Sequence, residues 1–188
     1  MGVQNHDRRG VTRRQMLTMA GGMGAALFAA PVLAHIPTPT PPEKRLRFHN
    51  LHTGERLETV YWARGSDRPS ALIDIDHILR DWRTGDVTRI DRDLLDLLHD
   101  LSHRSGSQAP IQVISGYRTA RTNAMLMNTS TAVAQNSFHV RAKAIDIRIA
   151  DVPLSELRRI ARRMQRGGVG YYPRSNFVHI DTGPVRSW

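Results

Sequence analysis

Residues 137–146 read SFHVRAKAID and residues 177–181 read FVHID, and these two stretches decide the fold that we predict. Each contains a run in which apolar and polar side chains alternate, which is typical of a strand with one buried face. The alternation places Asp146 on the polar face of the first strand and His179 on the polar face of the second. If the apolar faces share one core, both polar faces line the same cleft.

The two stretches carry side chains that bind metal ions. Zinc binds imidazole nitrogen and carboxylate oxygen, and a catalytic zinc site uses three protein ligands and leaves one position for water. His139, Asp146 and His179 would form such a set. The spacing alone leaves a second interpretation open, in which His139 is a loop histidine and the other two are a hydrogen-bonded pair on a sheet.

Three motifs resemble a known family of cell-wall enzymes. The pattern S-x-H-x-x-A-x-A-x-D at 137–146 is similar to the S-x-H-x-x-G-x-A-x-D signature of the zinc D-Ala-D-Ala carboxypeptidase and hedgehog-type peptidase superfamily, with Ala142 where many members have glycine. The run ISGYR at 114–118 resembles the S-G-Y-R element that precedes this signature. The run FVHIDTGPVR at 177–186 resembles the C-terminal strand of the murein endopeptidase K (YcbK-like) family, and the resemblance spans residues 45–188.

The resemblance implies a zinc-dependent murein (peptidoglycan) endopeptidase that cleaves peptide cross-links in the bacterial cell wall. It implies one Zn²⁺ per chain, bound by His139, Asp146 and His179, with the attacking water in the fourth position. Arg118 matches an arginine that faces the substrate in the superfamily, and its guanidinium could bind a carboxylate through two hydrogen bonds. Ser137 is expected to bind the substrate or to orient a metal ligand.

The general base is less evident than the ligands. Many members of the superfamily have Glu or His two or three residues before the last ligand, where this chain has Phe177 and Asn176, and neither side chain can take a proton. Asp181 lies two residues after His179 on the same strand face. We therefore predict that Asp181 acts either as the catalytic base or as a hydrogen-bond acceptor for the imidazole of His179.

Two other functions remain open at this point. The chain could be a D,D- or L,D-carboxypeptidase that trims stem peptides, or a non-catalytic peptidoglycan-binding module. The formal net charge of +10 would attract any polyanion. Because an exported protein seldom meets nucleic acid, we expect peptidoglycan as the partner, no nucleic acid, and a monomer.

Residues 1–34 have the features of a twin-arginine signal peptide. A basic region with four arginines precedes the apolar run 17–33, and Val32-Leu33-Ala34 is an acceptable cleavage site. We expect cleavage, which would leave no stable membrane span, with an uncleaved anchor as the alternative. The expected location is the periplasm or cell envelope. Residues 35–45 contain four prolines and are predicted to be a stiff linker.

The remaining residues, 46–188, are predicted to be a single zinc peptidase domain. With 40% hydrophobic residues and no cysteines, the domain must be stabilised by its core rather than by disulfides. We predict the α+β class, with a small, mainly antiparallel sheet that carries the zinc site and helices packed around it. Predicted strands cover 46–50, 56–62, 111–115, 144–149, 169–172 and 177–181, and predicted helices cover 70–82, 91–101, 119–127 and 153–166.

Overall fold

The computed structural model of the chain describes residues 42–129 and 134–188. The predicted signal peptide and residues 35–41 of the predicted linker lie outside the described residues. Within these described ranges, none of the helices has the length and hydrophobicity that crossing a bilayer requires.

The described residues form an α+β fold in which strands and helices are interspersed along the chain. The strands are β1 (Glu43–Asn50), β2 (Arg56–Ala63), β3 (Ser66–Asp67), β4 (Ile111–Ser115), β5 (Ala144–Ile149), β6 (Gly168–Tyr172), β7 (Phe177–Asp181) and β8 (Arg186–Ser187). The helices are α1 (Pro69–Ile78), α2 (Arg92–Ser105), α3 (Ala120–Met127) and α4 (Leu154–Arg163), and a 3₁₀ turn spans Phe138–Arg141. Because β1 begins at Glu43, the last residues of the predicted linker belong to the sheet.

All eight described strands belong to one sheet, in the order β3-β2-β1-β4-β5-β7-β6-β8. The pairs β1–β4 and β6–β8 are parallel and the others are antiparallel. The α+β class is confirmed, but the sheet is mixed and larger than the small one that we predicted. The difference arises because β1 pairs with β4, which joins the N-terminal hairpin to the strands that carry the site.

One face of the sheet is covered by α1, α2 and α4, and a single hydrophobic core fills the space between them. In β5 and β7 the side chains on this face are Ile145, Ile147, Val178 and Ile180, all completely buried. Because side chains alternate along a strand, Asp146 and His179 point to the opposite face. The core therefore fixes the two strands that present the polar residues.

Helix α2 shows how the sequence determines one of these packing elements. Its leucines recur on one side and are buried in the core, and Asp91 caps its first turn by accepting a hydrogen bond from the backbone N–H of Asp93 at 3.2 Å. The first helix differs from the prediction, which placed a cap at Ser70. Helix α1 begins at Pro69, with the proline at its first position and no side-chain cap from Arg68.

Candidate active site

Three polar side chains meet on the exposed side of β5 and β7. Asp146 and His179 lie directly opposite each other in the β5–β7 register, and His139 reaches them from the 3₁₀ turn. His179 Nδ1 lies 2.9 Å from Asp146 Oδ1 and 3.2 Å from His139 Nε2. His139 Nε2 lies 3.3 Å from the same oxygen of Asp146. The structure thus brings the three predicted metal ligands together.

The turn that carries His139 is held at both ends. The hydroxyl oxygen of Ser137 accepts a hydrogen bond from the backbone N–H of His139 at 3.3 Å, which caps the turn. At the other end, Ala142 has φ 54° and ψ 30°, the left-handed conformation that glycine adopts at the least cost. Ala142, which stands in place of a glycine in the signature that this motif resembles, therefore adopts a conformation that glycine would adopt at lower cost.

Hydrogen bonds fix which nitrogen of each imidazole is protonated. His139 Nδ1 lies 2.7 Å from the carbonyl oxygen of Gly116, and His179 Nε2 lies 3.0 Å from Asp181 Oδ2. Carbonyl and carboxylate oxygens only accept hydrogen bonds, so these two nitrogens must be the donors. In a neutral imidazole the other nitrogen then carries a lone pair. The lone pairs of His139 Nε2 and His179 Nδ1 therefore both point towards Asp146 Oδ1.

Three lone-pair atoms at this spacing fit a bound zinc ion. Tetrahedral zinc with ligand bonds of about 2.0–2.1 Å separates its ligand atoms by about 3.3 Å, and the three atoms here are 2.9–3.3 Å apart. All three residues are buried, where converging acceptors repel one another unless a cation lies between them. The donor set and its spacing therefore fit zinc.

The electrostatics of the cluster also favour a bound cation. Burial lowers the pKa of His139, which keeps this ligand neutral. Burial acts in the same direction on His179, but its hydrogen bonds to Asp146 and Asp181 outweigh that effect and raise its pKa to about 9. Although burial opposes ionisation of Asp146, both imidazoles hold the pKa of this carboxyl well below its usual range. The ionised carboxylates of Asp146 and Asp181 thus favour a cation at the cluster, and a bound metal ion would take the place of the proton that they hold on His179.

Asp181 lies behind His179 and is completely buried. Its Oδ2 accepts from His179 Nε2 at 3.0 Å and from Arg186 Nη2 at 2.6 Å. Its Oδ1 accepts from Arg186 Nη1 at 3.0 Å and from the backbone N–H groups of Gly168 and Gly183 at 3.1 and 2.8 Å. The lone pairs of the Asp181 carboxylate are thus occupied by these donors. Asp181 also contacts Nε2 of His179, whereas the nitrogen that faces the other metal donors is Nδ1. The geometry thus favours the acceptor role over the role of base.

Arg118 is buried next to the metal donors, with 7% of its surface exposed. Its Nη2 lies 3.5 Å from Asp146 Oδ2, and its Nη1 donates to Asn123 Oδ1 at 3.4 Å. Its backbone N–H donates to the carbonyl of His139 at 3.2 Å. Within the described part of the chain, Arg118 Nε has no hydrogen-bond partner. The contacts with Asp146 and Asn123 hold the guanidinium in place.

The donors open into a cleft of about 310 Å³ that also exposes Arg118 and Ser137. The cleft is also lined by an aromatic cluster formed by Tyr172, Phe177 and Trp188. Tyr172 and Phe177 stack at 4.6 Å, and Trp188 Nε1 donates to the Tyr172 hydroxyl at 2.8 Å. The indole of Trp188 lies 5.4 Å from the imidazole of His179.

Arg186 and Trp188 belong to the site but were not among the predicted site residues. Arg186 binds Asp181 through both carboxylate oxygens, and its place in the FVHIDTGPVR run was an available signal. Trp188 reaches the cleft because β8 pairs with β6. A two-residue strand has no alternation from which to predict this pairing.

Comparison with known proteins agrees with the three motifs. The family model described as peptidoglycan L,D-endopeptidase MepK matches residues 38–188. The probable peptidoglycan L,D-endopeptidase MepK of Haemophilus influenzae is 43% identical over 178 residues, which cover 94% of this chain and 95% of that protein. The peptidoglycan L,D-endopeptidase MepK of Escherichia coli is 41% identical over 183 residues, 97% of this chain and 100% of that protein. No solved structure matches the chain. The predicted resemblance is confirmed, and the chain belongs to the peptidoglycan L,D-endopeptidase MepK family.

Proposed function

We propose that this protein is a zinc-dependent peptidoglycan endopeptidase that cleaves peptide cross-links in the bacterial cell wall. The observation that carries the proposal is the convergence of His139 Nε2, His179 Nδ1 and Asp146 Oδ1 at the spacing of a tetrahedral zinc site. Family membership supports the same activity. Because the related proteins are named L,D-endopeptidases, an L,D cross-link is the proposed bond.

A zinc ion bound there would polarise the carbonyl of the scissile peptide and lower the pKa of the attacking water. The protein's part is to hold the ligands in the correct tautomers. The carbonyl of Gly116 does so for His139, and Asp181 does so for His179, itself held by Arg186. Such outer partners orient the imidazoles and increase their basicity.

Arg118 is proposed to bind the substrate next to the metal donors. Arg118 lines the cleft, and its guanidinium could donate to a peptide carboxylate or carbonyl oxygen. A preorganised cation in a buried site also stabilises negative charge that develops on a carbonyl oxygen during attack. The hydroxyl proton of Ser137 is available to the cleft, because its oxygen accepts rather than donates in the cap of the turn.

The geometry supports a revised role for Asp181. Among the described residues that line the cleft, Asp146 is the only carboxylate, and its Oδ1 belongs to the metal donors. Asp181 does not line the cleft. We therefore propose that Asp181 positions His179, and we assign the deprotonation of water to no side chain.

The proposal extends to the location and organisation of the chain. Residues 1–34 are proposed to be a cleaved twin-arginine signal peptide, and the prolines before β1 a linker to the peptidase domain. The mature protein would act as a monomer in the periplasm or cell envelope. Its partner would be peptidoglycan, whose carboxylates complement the basic surface.

Mass analysis of the products from isolated cell-wall sacculi tests the function. The purified, zinc-loaded protein should convert cross-linked peptide dimers into monomers by cutting the L,D bond, and a chelator should abolish the reaction. Loss of terminal residues alone would instead identify a carboxypeptidase. Retained binding to sacculi with unchanged peptides would identify a binding module.

A further inference from the structure

A second groove, of about 870 Å³, lies beside the catalytic cleft. One of its walls is the segment between α1 and α2, which carries Trp82 and Arg83. The other wall is the start of α3, with Thr119 and Arg121. We call it the arginine groove, after Arg83 and Arg121.

The arginine groove adjoins the catalytic cleft. Arg118 lines the cleft and the next residue, Thr119, lines the groove. The cleft and the groove are thus lined by consecutive residues, so an extended substrate could contact both.

The two walls are joined by a buried carboxylate. Asp81 is 1% exposed and accepts hydrogen bonds from the backbone N–H of Thr119 at 2.9 Å and from its hydroxyl at 3.0 Å. Its other oxygen accepts from the backbone N–H of Arg83 at 3.1 Å. Asp81 thus fixes the backbones of the two walls relative to each other.

Arg83 and Arg121 have no carboxylate within ion-pair distance in the described ranges, residues 42–129 and 134–188. Three other arginines have acidic partners: Arg80 pairs with Glu55, Arg92 with Asp67 and Arg166 with Asp100. Asp86 is the one carboxylate in the lining of the groove. The groove therefore carries guanidinium donors that a ligand with more than one carboxylate could satisfy.

Stacking explains how Arg83 is held and which ligand the groove disfavours. The guanidinium of Arg83 lies 4.1 Å from the ring of Trp82, and the imidazole of His52 stacks on the same indole at 4.2 Å. Two groups at these distances lie on opposite faces of the ring, so Trp82 offers no bare face to a sugar. A stacked guanidinium still presents its N–H edge for hydrogen bonding.

We propose that the arginine groove binds a carboxylate-bearing peptide arm of the cross-linked substrate through Arg83 and Arg121. The inference rests on the proposed function, since a cross-link joins two peptides and the catalytic cleft of about 310 Å³ is too small to enclose both. One peptide would lie at the metal donors, and the free carboxylates of the other would bind the two guanidinium groups.

Kinetics with charge-removing variants test the proposal. The substrate is the cross-linked dimer that a glycan hydrolase releases from sacculi. Arg83→Gln and Arg121→Gln should each raise KM about tenfold and leave kcat within about twofold, as expected for lost charged hydrogen bonds that act in binding alone. Arg163→Gln is the matched control. Arg163 is an exposed arginine on α4 that lines neither the groove nor the catalytic cleft, and its replacement should change KM less than about twofold.

Calorimetric titration in the presence of a chelator provides a second measurement, independent of turnover. The full-length protein should bind the dimer about tenfold more tightly than the same dimer with its carboxyl groups amidated, and Arg83→Gln and Arg121→Gln should reduce that preference. The proposal would be overturned if Arg83→Gln and Arg121→Gln had the same KM as Arg163→Gln and the same preference for the unmodified dimer over the amidated one. This holds even if the protein cleaves cross-links. Arginine-dependent binding without any cleavage would instead support the groove and refute the proposed function.

Discussion

Replacing Asp181 by asparagine separates the two roles that the sequence leaves open for this residue. The substitution keeps the size of the side chain but turns one acceptor oxygen into an NH₂ donor. The amide oxygen can still accept from the backbone N–H groups of Gly168 and Gly183. The NH₂ group then faces His179 Nε2 and Arg186 Nη2, which are 3.0 and 2.6 Å from the oxygen that it replaces.

Two donors cannot hydrogen-bond to each other, so the imidazole of His179 must respond. Its neutral form can place the proton on Nδ1 and accept at Nε2, but Nδ1 is the atom that faces the other metal donors. Zinc affinity should therefore fall about 10–100-fold, which corresponds to about 1.4–2.7 kcal/mol. Each charged hydrogen bond lost at Arg186 or His179 should also lower the free energy of unfolding by about 1.5–3 kcal/mol.

The assay is a zinc titration against a competing chelator, combined with kcat at saturating zinc. If Asp181 only positions His179, activity should recover largely once enough zinc is supplied. Asp96→Asn is the control, because Asp96 bonds Lys44 and Tyr61 and has no contact with the site. Unchanged zinc affinity in Asp181→Asn, with kcat still reduced about a hundredfold at saturating zinc, would refute the positioning role and identify Asp181 as the base.

Three further substitutions test other parts of the account. Gly170→Ala places a methyl group 2.8 Å from the indole of Trp188, so the indole should move away from His179. We expect KM to rise with little change in zinc affinity. A crystal structure of the variant with Trp188 in its original position would contradict this prediction. Arg118→Lys keeps the charge but loses the planar fork, and kcat/KM should fall at least about tenfold with zinc still bound. The contacts of Asp96 with Lys44 and Arg92 outweigh its burial and lower its pKa. A lowered pKa stabilises the fold above the unfolded-state value of about 4, so Asp96→Asn should destabilise the protein at pH 7 by about 1–3 kcal/mol, and denaturant titrations should show this difference shrinking below about pH 4.

The site strands could be predicted from the sequence because their pattern is local. Alternation in residues 144–149 and 177–181 identifies the buried faces, and the structure pairs Asp146 with His179 as the shared polar face requires. The tautomer of His139 could not be predicted in this way, because its partner is the backbone carbonyl of Gly116. Every residue type has a backbone carbonyl, so the sequence does not show which one accepts the hydrogen bond.

The size of the sheet could not be predicted for a related reason. The hairpin β1–β2 joins the site strands through the parallel pairing of Phe48 with Ile111, and such long-range pairing depends on the packing of the whole core rather than on any local pattern. The same limit applies to the arginine groove, where Asp81 joins segments that are distant in the sequence.

The most direct test of the central claim is the zinc content of the purified protein, measured by native mass spectrometry beside that of His139→Ala. We expect one zinc ion per chain in the wild-type protein and none in the variant, with matching far-ultraviolet circular dichroism as evidence that both are folded. A wild-type protein that binds no zinc at micromolar concentration, or a folded His139→Ala that keeps its zinc, would contradict the proposed metal site.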